Sequence, residues 1–390
     1  MRYQRTIAKA VSCSGVGLHS GKKVDLRLVP APMDAGIVFI RTDIDHGRSA
    51  KVAASIGRVA ATSLSTILSE NSTMVHTVEH LLSALSGMQI DNLFVELNSE
   101  ELPIMDGSAA PFVALLQEAG IVEQPKPQPQ IKILEPIKVE QNGKQVMIKP
   151  APSYKISYTI EFDHNTVSKQ YYHYEASPAS YQREIAAART FGFLSEVETL
   201  WAQGYAKGGS LENAVIIGED GVLNKEGLRY PDEFVRHKVL DLIGDLSLLG
   251  MPLIGHLIAV RSGHALHTEL ARTHNCHIVA ASVPVRTPDD KVLNRARLFT
   301  PGGKVGAQDK LIMTRYEREV WGLSGGNGAA LFDTTLGKIG VTICYDAEFP
   351  LIAQPCHSRS AAAHRLPEQS SDRAASAPIE SHANYHTIRL

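Results

Sequence analysis

The stretch "DLRLVPAPMDAGIVFI", beginning at Asp25, is echoed by "QVMIKPAPSYKISYTI", beginning at Gln145. Each reads as an alternating strand, a Pro-Ala-Pro turn and a second strand. The offset of about 120 residues suits one domain per copy. The repeat therefore constrains the chain to two similar α+β halves, each a mixed or antiparallel sheet packed on helices. Each copy later closes with a helix after an acidic turn, "MDGSAAPFVALLQEAG" in the first and "YPDEFVRHKVLDLIGDLSLLG" in the second. Asp106 in the former is expected as an N-cap. Between the copies, "VEQPKPQPQ" places Pro125, Pro127 and Pro129 at alternate positions, as in an extended linker. The expected boundaries are 1–124, a linker at 125–130, and 131–268.

Beyond about residue 270 the texture changes. "CHIVAASVPV" and "KIGVTICYD" are continuous apolar runs, as in strands buried on both faces. From Gln354 the chain is rich in Ala, Ser and His and poor in large apolar residues, so 354–390 is expected to be a disordered tail. The formal net charge of −2 over 390 residues points away from a nucleic-acid partner. No apolar run is long enough for a membrane span, and the opening "MRYQRTIAKAVSCSG" lacks the pattern of a secretory signal. Cys13, Cys276, Cys344 and Cys356 form no CxxC pair, which points to a reducing cytoplasm and away from a cysteine-built zinc site.

The chemistry concentrates in two helical stretches. In Tyr230–Gly250, Pro231, Asp232 and Glu233 suit a helix start, and Gly250 followed by Pro252 suits its end. His237, Asp241 and Asp245 stand at i, i+4 and i+8 on one face, while Phe234, Val235, Leu240, Leu242, Ile243, Leu246 and Leu249 crowd the remaining surface. Buried carboxylates need cations, either an arginine from elsewhere or a metal. In "HTVEHLLSAL", His76–Leu85, the pattern His76-x-x-Glu79-His80 fits an inverted zincin with two histidine ligands. A catalytic zinc needs only three protein ligands, and His80, His237 and Asp241 already make three. Spacing alone leaves both readings open. "GVGLHSGKK" fails as a phosphate loop, because Val16 replaces the first glycine and Lys23 the Ser or Thr.

"TVEHLLSAL", "PIMDGSAAPF", "ARTFGF", "EFVRHKVLDLIGDL" and "SGHAL", in that order, resemble the UDP-3-O-acyl-N-acetylglucosamine deacetylase family from residue 1 to about 268. The resemblance implies two α+β halves facing each other and the committed step of lipid A synthesis. It implies one Zn2+ per chain, with Fe2+ as an alternative, on His80, His237 and Asp241, and leaves His76 outside the set. Glu79 matches the general base, Thr190 an oxyanion donor, and His264 the cationic acid held charged by Asp245. Lys238 and His19 match substrate-binding positions, with Phe191 and Gly192 bordering the substrate. Ser65 stands where some family members carry cysteine, a departure that touches no ligand. The implied partner is a small UDP-sugar lipid; no obligate protein partner is implied.

From about Glu269 to Ala353, "DKLIMTRYERE" and "GVTICYDAEFP" resemble an internal fragment of a nitrilase-family carbon–nitrogen hydrolase. Lys310 matches that family's lysine, Cys344 its nucleophile and Glu317 an additional glutamate. The base glutamate of a segment far upstream is absent, and so is the half beyond the nucleophile, so this segment is expected to be inactive. The simplest account is a deacetylase joined near residue 268 to a hydrolase fragment, followed by an out-of-frame tail. The alternative is a bifunctional or non-functional chimera.

Overall fold

The structure, a computed structural model, describes residues 2–44, 50–272, 278–299, 305–334, 337–343 and 345–346. The tail expected at 354–390, and Cys344, lie outside the described residues. The chain divides into two compact units, Met1–Thr273 and His274–Leu390.

The first unit begins with β1 (Tyr3–Ile7), β2 (Val11–Val16), β3 (Lys23–Pro30), β4 (Ile37–Arg41) and β5 (Lys51–Ala53). A small sheet of β6 (Val59–Ala61), β7 (Ile67–Glu70) and β8 (Thr73–Val75) leads to α1 (Glu79–Gly87), β9 (Leu93–Leu97), α2 (Ala110–Ala119) and β10 (Ile121–Pro127). The second half runs through β11 (Ile131–Lys132), β12 (Ile137–Gln141), β13 (Lys144–Lys149), β14 (Lys155–Glu161), β15 (Lys169–Glu175) and the single turn α3 (Pro178–Ser180). It continues with β16 (Phe191–Phe193), α4 (Leu194–Ala202), β17 (Val215–Gly218), β18 (Gly221–Val222), α5 (Glu233–Ser247), β19 (Leu253–Ile254), β20 (His256–Val260) and α6 (His264–Arg272).

The repeat is visible in the sheets. One has the order β2-β3-β9-β4-β5 and the other β12-β13-β20-β14-β15, with antiparallel and parallel pairings in the same sequence. The two strands flanking each Pro-Ala-Pro turn are not neighbours. β9 lies between β3 and β4, and β20 between β13 and β14. A two-residue turn would force direct pairing, whereas the connection from Pro30 to Ile37 is long enough to arch over an inserted strand. The helix correspondence also differs from the expected one. α1 precedes β9 as α5 precedes β20, so α1, not α2, is the counterpart of α5, and α2 corresponds to α6.

α1 and α5 pack on each other through apolar faces. Leu81, Leu82 and Leu85 of α1 and Val239, Leu240, Leu242 and Ile243 of α5 are all buried in one core. Each such side chain contributes roughly 1.5–3 kcal/mol before conformational entropy is counted. The helices approach so closely that a Cβ on Gly244 would lie 2.1 Å from the Glu79 carbonyl oxygen.

Two local expectations change. Asp106 does not cap α2. Its Oδ1 accepts from Ser108 N and Oγ, and its Oδ2 pairs with Arg229, because the helix begins four residues later. The proline-rich stretch is extended, and up to Pro127 it is a strand paired with β1. Proline is tolerated there because neither strand has a second neighbour.

The second unit contains β21 (Ile278–Arg286), β22 (Val292–Phe299), β23 (Val305–Asp309), α7 (Arg315–Glu319), β24 (Leu323–Ser324), β25 (Leu331–Thr334) and β26 (Gly337–Gly340). β21, β22 and β23 form a sheet with β24 parallel to β22, and β25 pairs with β26. "CHIVAASVPV" thus supplies a strand, but the run "KIGVTICYD" leaves strand geometry after Gly340. Its only described ladder partner is β25, which is used up by then. Among the described residues, no helix is long and apolar enough to cross a membrane.

Candidate metal centre

His80 lies in the first turn of α1, and His237 and Asp241 lie one turn apart on α5. All three are buried. Their ligand atoms fall within 4.8 Å of one another. Asp241 Oδ1 is 3.3 Å from His237 Nε2 and 3.7 Å from His80 Nε2. These separations exceed the roughly 2.7–3.2 Å of an N–H···O bond, so the atoms face a common point instead of bonding one another. His237 Nδ1 donates to the Ala188 carbonyl at 3.0 Å, which leaves the Nε2 lone pair facing the other two donors.

The electrostatics suit ligation. Burial, with His237 alongside, pushes His80 down to about 3. Burial likewise lowers His237. Both rings are therefore neutral, as ligands must be. Burial alone would raise the Asp241 carboxyl, yet the neighbouring positive charges, Lys238 and the His264 cation among them, hold it well below the usual carboxylate range. Two neutral imidazoles and one carboxylate form a donor set that fits zinc or iron(II).

One turn further along α5, Asp245 organises a second group. Its Oδ2 accepts from His264 Nδ1 at 2.8 Å and from His267 Nδ1 at 2.7 Å, while Oδ1 accepts from Thr66 Oγ1 at 2.6 Å. Burial opposes charge on His264, but the Asp245 carboxylate overcomes it and raises the imidazole to about 10. His264 is thus a cation at neutral pH. Its Nε2 lies 3.9 Å from Glu79 Oε1. Burial raises Glu79 to about 7, with the nearby carboxylates adding and His264 opposing. Thr66 N donates to Glu79 Oε2 at 3.0 Å.

His267 and Thr66 belong to this group and were missed in the sequence. His267 follows His264 by three residues on α6, a spacing that puts both rings on one helix face. Thr66 had no comparable signal, since it arrives from β6–β7.

The remaining sequence-selected residues divide. Lys238 Nζ donates to Asp241 Oδ2 at 2.9 Å and lies 5.5 Å from the Phe191 ring, which in turn lies 6.3 Å from the His237 ring. Gly192 follows in β16, with nothing within 4 Å of where its Cβ would be. Thr190 is held through its backbone, N to the Gly107 carbonyl and O from Val215 N. His19 lies in a loop, its ring 5.6 Å from Tyr205. His76 is outside the ligand group, and its Nε2 is buried without a partner. In the second unit, Lys310 is fully buried with Nζ 2.7 Å from both carboxylate oxygens of Glu317.

Three donors poised for a divalent ion, beside a basic carboxylate and a charged imidazole, define a metal-dependent hydrolase in class. Comparison with known proteins names the family. The family model for UDP-3-O-acyl N-acetylglycosamine deacetylase matches residues 4–274, and the chain belongs to that family. A protein named UDP-3-O-acyl-N-acetylglucosamine deacetylase from Anaeromyxobacter sp. (strain Fw109-5) is 49% identical over 294 residues, covering 73% of this chain and 95% of that protein. Proteins of the same name from Myxococcus xanthus and Oleidesulfovibrio alaskensis are each 51% identical, covering 69% and 70% of this chain and 85% and 89% of their own lengths. A carbon–nitrogen hydrolase model matches residues 265–373, so all of α6 except His264 falls within both matches.

Proposed function

We propose that this chain hydrolyses the N-acetyl amide of UDP-3-O-(3-hydroxyacyl)-N-acetylglucosamine, the committed step of lipid A biosynthesis, in the cytoplasm. One zinc ion per chain would be held by His80, His237 and Asp241, a set that would also hold iron(II). The observation that carries this reading is the convergence of those three buried donors next to the Asp245–His264 pair and Glu79. The activity for which the relatives are named supplies the substrate.

A divalent ion there would supply Lewis-acid polarisation of the amide carbonyl and acidify the attacking water. Glu79 takes the water's proton. Thr66 N–H occupies its Oε2, which leaves Oε1 as the basic atom. His264 donates from Nε2 to the leaving amine, and Asp245 on Nδ1 keeps it charged until then. The Thr190 hydroxyl is assigned to the developing oxyanion. Lys238 and His19 are assigned to substrate binding, with Phe191 and Gly192 at its border. The segment 269–353 is read as an inactive remnant, because on its resemblance to the hydrolases it carries Lys310 and Glu317 but not the upstream base glutamate.

Metal analysis of the full chain, paired with an acetate-release assay on the UDP-sugar, tests the reading. His237→Ala should lose metal and activity together. Full metal occupancy in that variant would contradict the ligand set. A zinc-loaded wild-type chain that releases no acetate would contradict the substrate.

A further inference from the structure

The segment "GLHSG", Gly17–Gly21, closes on itself, with Gly21 N donating to the Gly17 carbonyl and Gly17 N to the Lys22 carbonyl. A buried carboxylate, Glu101, fills the loop. Its Oε1 accepts from His19 N at 2.9 Å and Thr77 Oγ1 at 3.1 Å, and its Oε2 from Ser20 N at 2.8 Å. The fit leaves no room at Gly17, where a Cβ would lie 2.3 Å from Glu101 Oε2. Glu101 therefore ties the loop to Thr77, three residues before His80.

The loop's other side grips a strap from the second half. Lys207 N donates to the His19 carbonyl at 3.2 Å, Gly208 N to the Leu18 carbonyl at 3.0 Å, and Ala206 N to His19 Nδ1 at 3.4 Å. A Cβ on Gly208 would lie 2.2 Å from the Gly17 oxygen. This strap is the return of α4, a helix with no buried residue of its own. Trp201 of α4 also donates to the Ala206 carbonyl. α4 leaves directly from β16, whose Phe191 stands beside Lys238 and His237. With so little core packing, the position of α4 depends on where the strap is held.

We propose that Glu101 is a positioning residue: its carboxylate holds loop 17–21, and through it the 206–208 strap and α4, in place relative to the start of metal-binding helix α1. Two backbone amides and a hydroxyl converge on this anion, and removing it strands those buried donors. Release of the strap should weaken substrate binding while sparing the three metal-facing donors, Glu79 and His264, which sit on α1, α5 and α6. Only this kinetic consequence rests on the deacetylase reading.

The test is hydrogen exchange on full-length Glu101→Ala. The amides of residues 206–208 should exchange at least about tenfold faster than in the wild type, with metal content unchanged. KM should rise about tenfold with kcat within about threefold, and Glu101→Gln, which keeps Oε1 as an acceptor, should recover much of the loss. Unchanged exchange at 206–208 in the folded variant overturns the proposal, as does loss of metal or of kcat in place of KM. Should Glu101→Ala fail to fold, Gly208→Ala decides. It attacks the clasp from the strap side, and unchanged exchange there also overturns the proposal. A wild-type chain without deacetylase activity would sink the proposed function and leave the exchange result to stand on its own.

Discussion

Each unit holds a charged pair built on a buried partner, Asp245 in the first and Lys310 in the second. In the first unit, Asp245 holds His264, and the charged imidazole keeps Nε2 directed towards Glu79. In the second, Lys310 meets both oxygens of Glu317, and Asp346 accepts from the amides of Leu311 and Ile312. The surroundings differ more than the pairs. The first unit's pair sits in a continuous apolar core reaching from Ile7 to Ala271. The described residues of the second unit bury only Leu293, Ala296, Leu298, Leu323 and Ile343 among apolar side chains. A buried ion pair is a weak source of net stability by itself. On the proposed function it becomes a chemical device where a dry core fixes it beside a third group that it can act upon, here Glu79.

The sharpest way to break this comparison is to disable each pair in turn. His264→Gln should retain metal and lower kcat by about 10²–10⁴-fold, the range of general acid–base catalysis, while Lys310→Met should leave deacetylation unchanged. Equal losses from both would mean that the second unit takes part in the reaction. In the wild type the rate should rise with pH as Glu79 ionises, at or below about 7 because a bound cation favours the carboxylate. It should fall again as His264 loses its proton towards about 10. In His264→Gln the alkaline fall should disappear, and its persistence would assign that limb to another group.

A smaller effect sharpens the role of the core. Gly244→Ala pushes a methyl against the Glu79 carbonyl and should cost about 1–3 kcal/mol, seen as a lower Tm, because neither helix can move without disturbing the apolar layer. An unchanged Tm would mean that α1 and α5 are less tightly joined than their packing indicates. The smallest effect is expected from ending the chain at Thr273. Metal content and deacetylation rate should stay at full-length values, since the first unit contains its own core and all the assigned groups. A collapse of solubility or activity on that cut would erase the distinction between the units.

Much of this was legible in the chain. The two Pro-Ala-Pro segments announced the duplication, and helical periodicity put His237, Asp241 and Asp245 on one face of α5. The inserted strands β9 and β20 were not legible, because strand order depends on pairings between distant segments and each strand alone only alternates. The false match of α2 to α5 has the same origin. Both follow acidic turns, and only the sheet order shows that α1 and α5 are counterparts. Thr66 and His267 escaped because one lies in an irregular connection and the other was overshadowed by a neighbour with a family role.

The order of residues encodes what is local and periodic: two like halves, a striped helix, and a second helix with a histidine at its start. These follow from φ/ψ preference and side-chain spacing, which act over a few residues. Which faces meet is settled only by packing across the fold. The crossing of α1 and α5 brings His80 to the pair on α5 while His76, just outside the helix, is carried to Glu101's side. Burial raises Glu79, while the Asp245 carboxylate raises His264 against its own burial. Both outcomes depend on exclusion of water and on distances across the fold, and neither quantity is written in the order of residues.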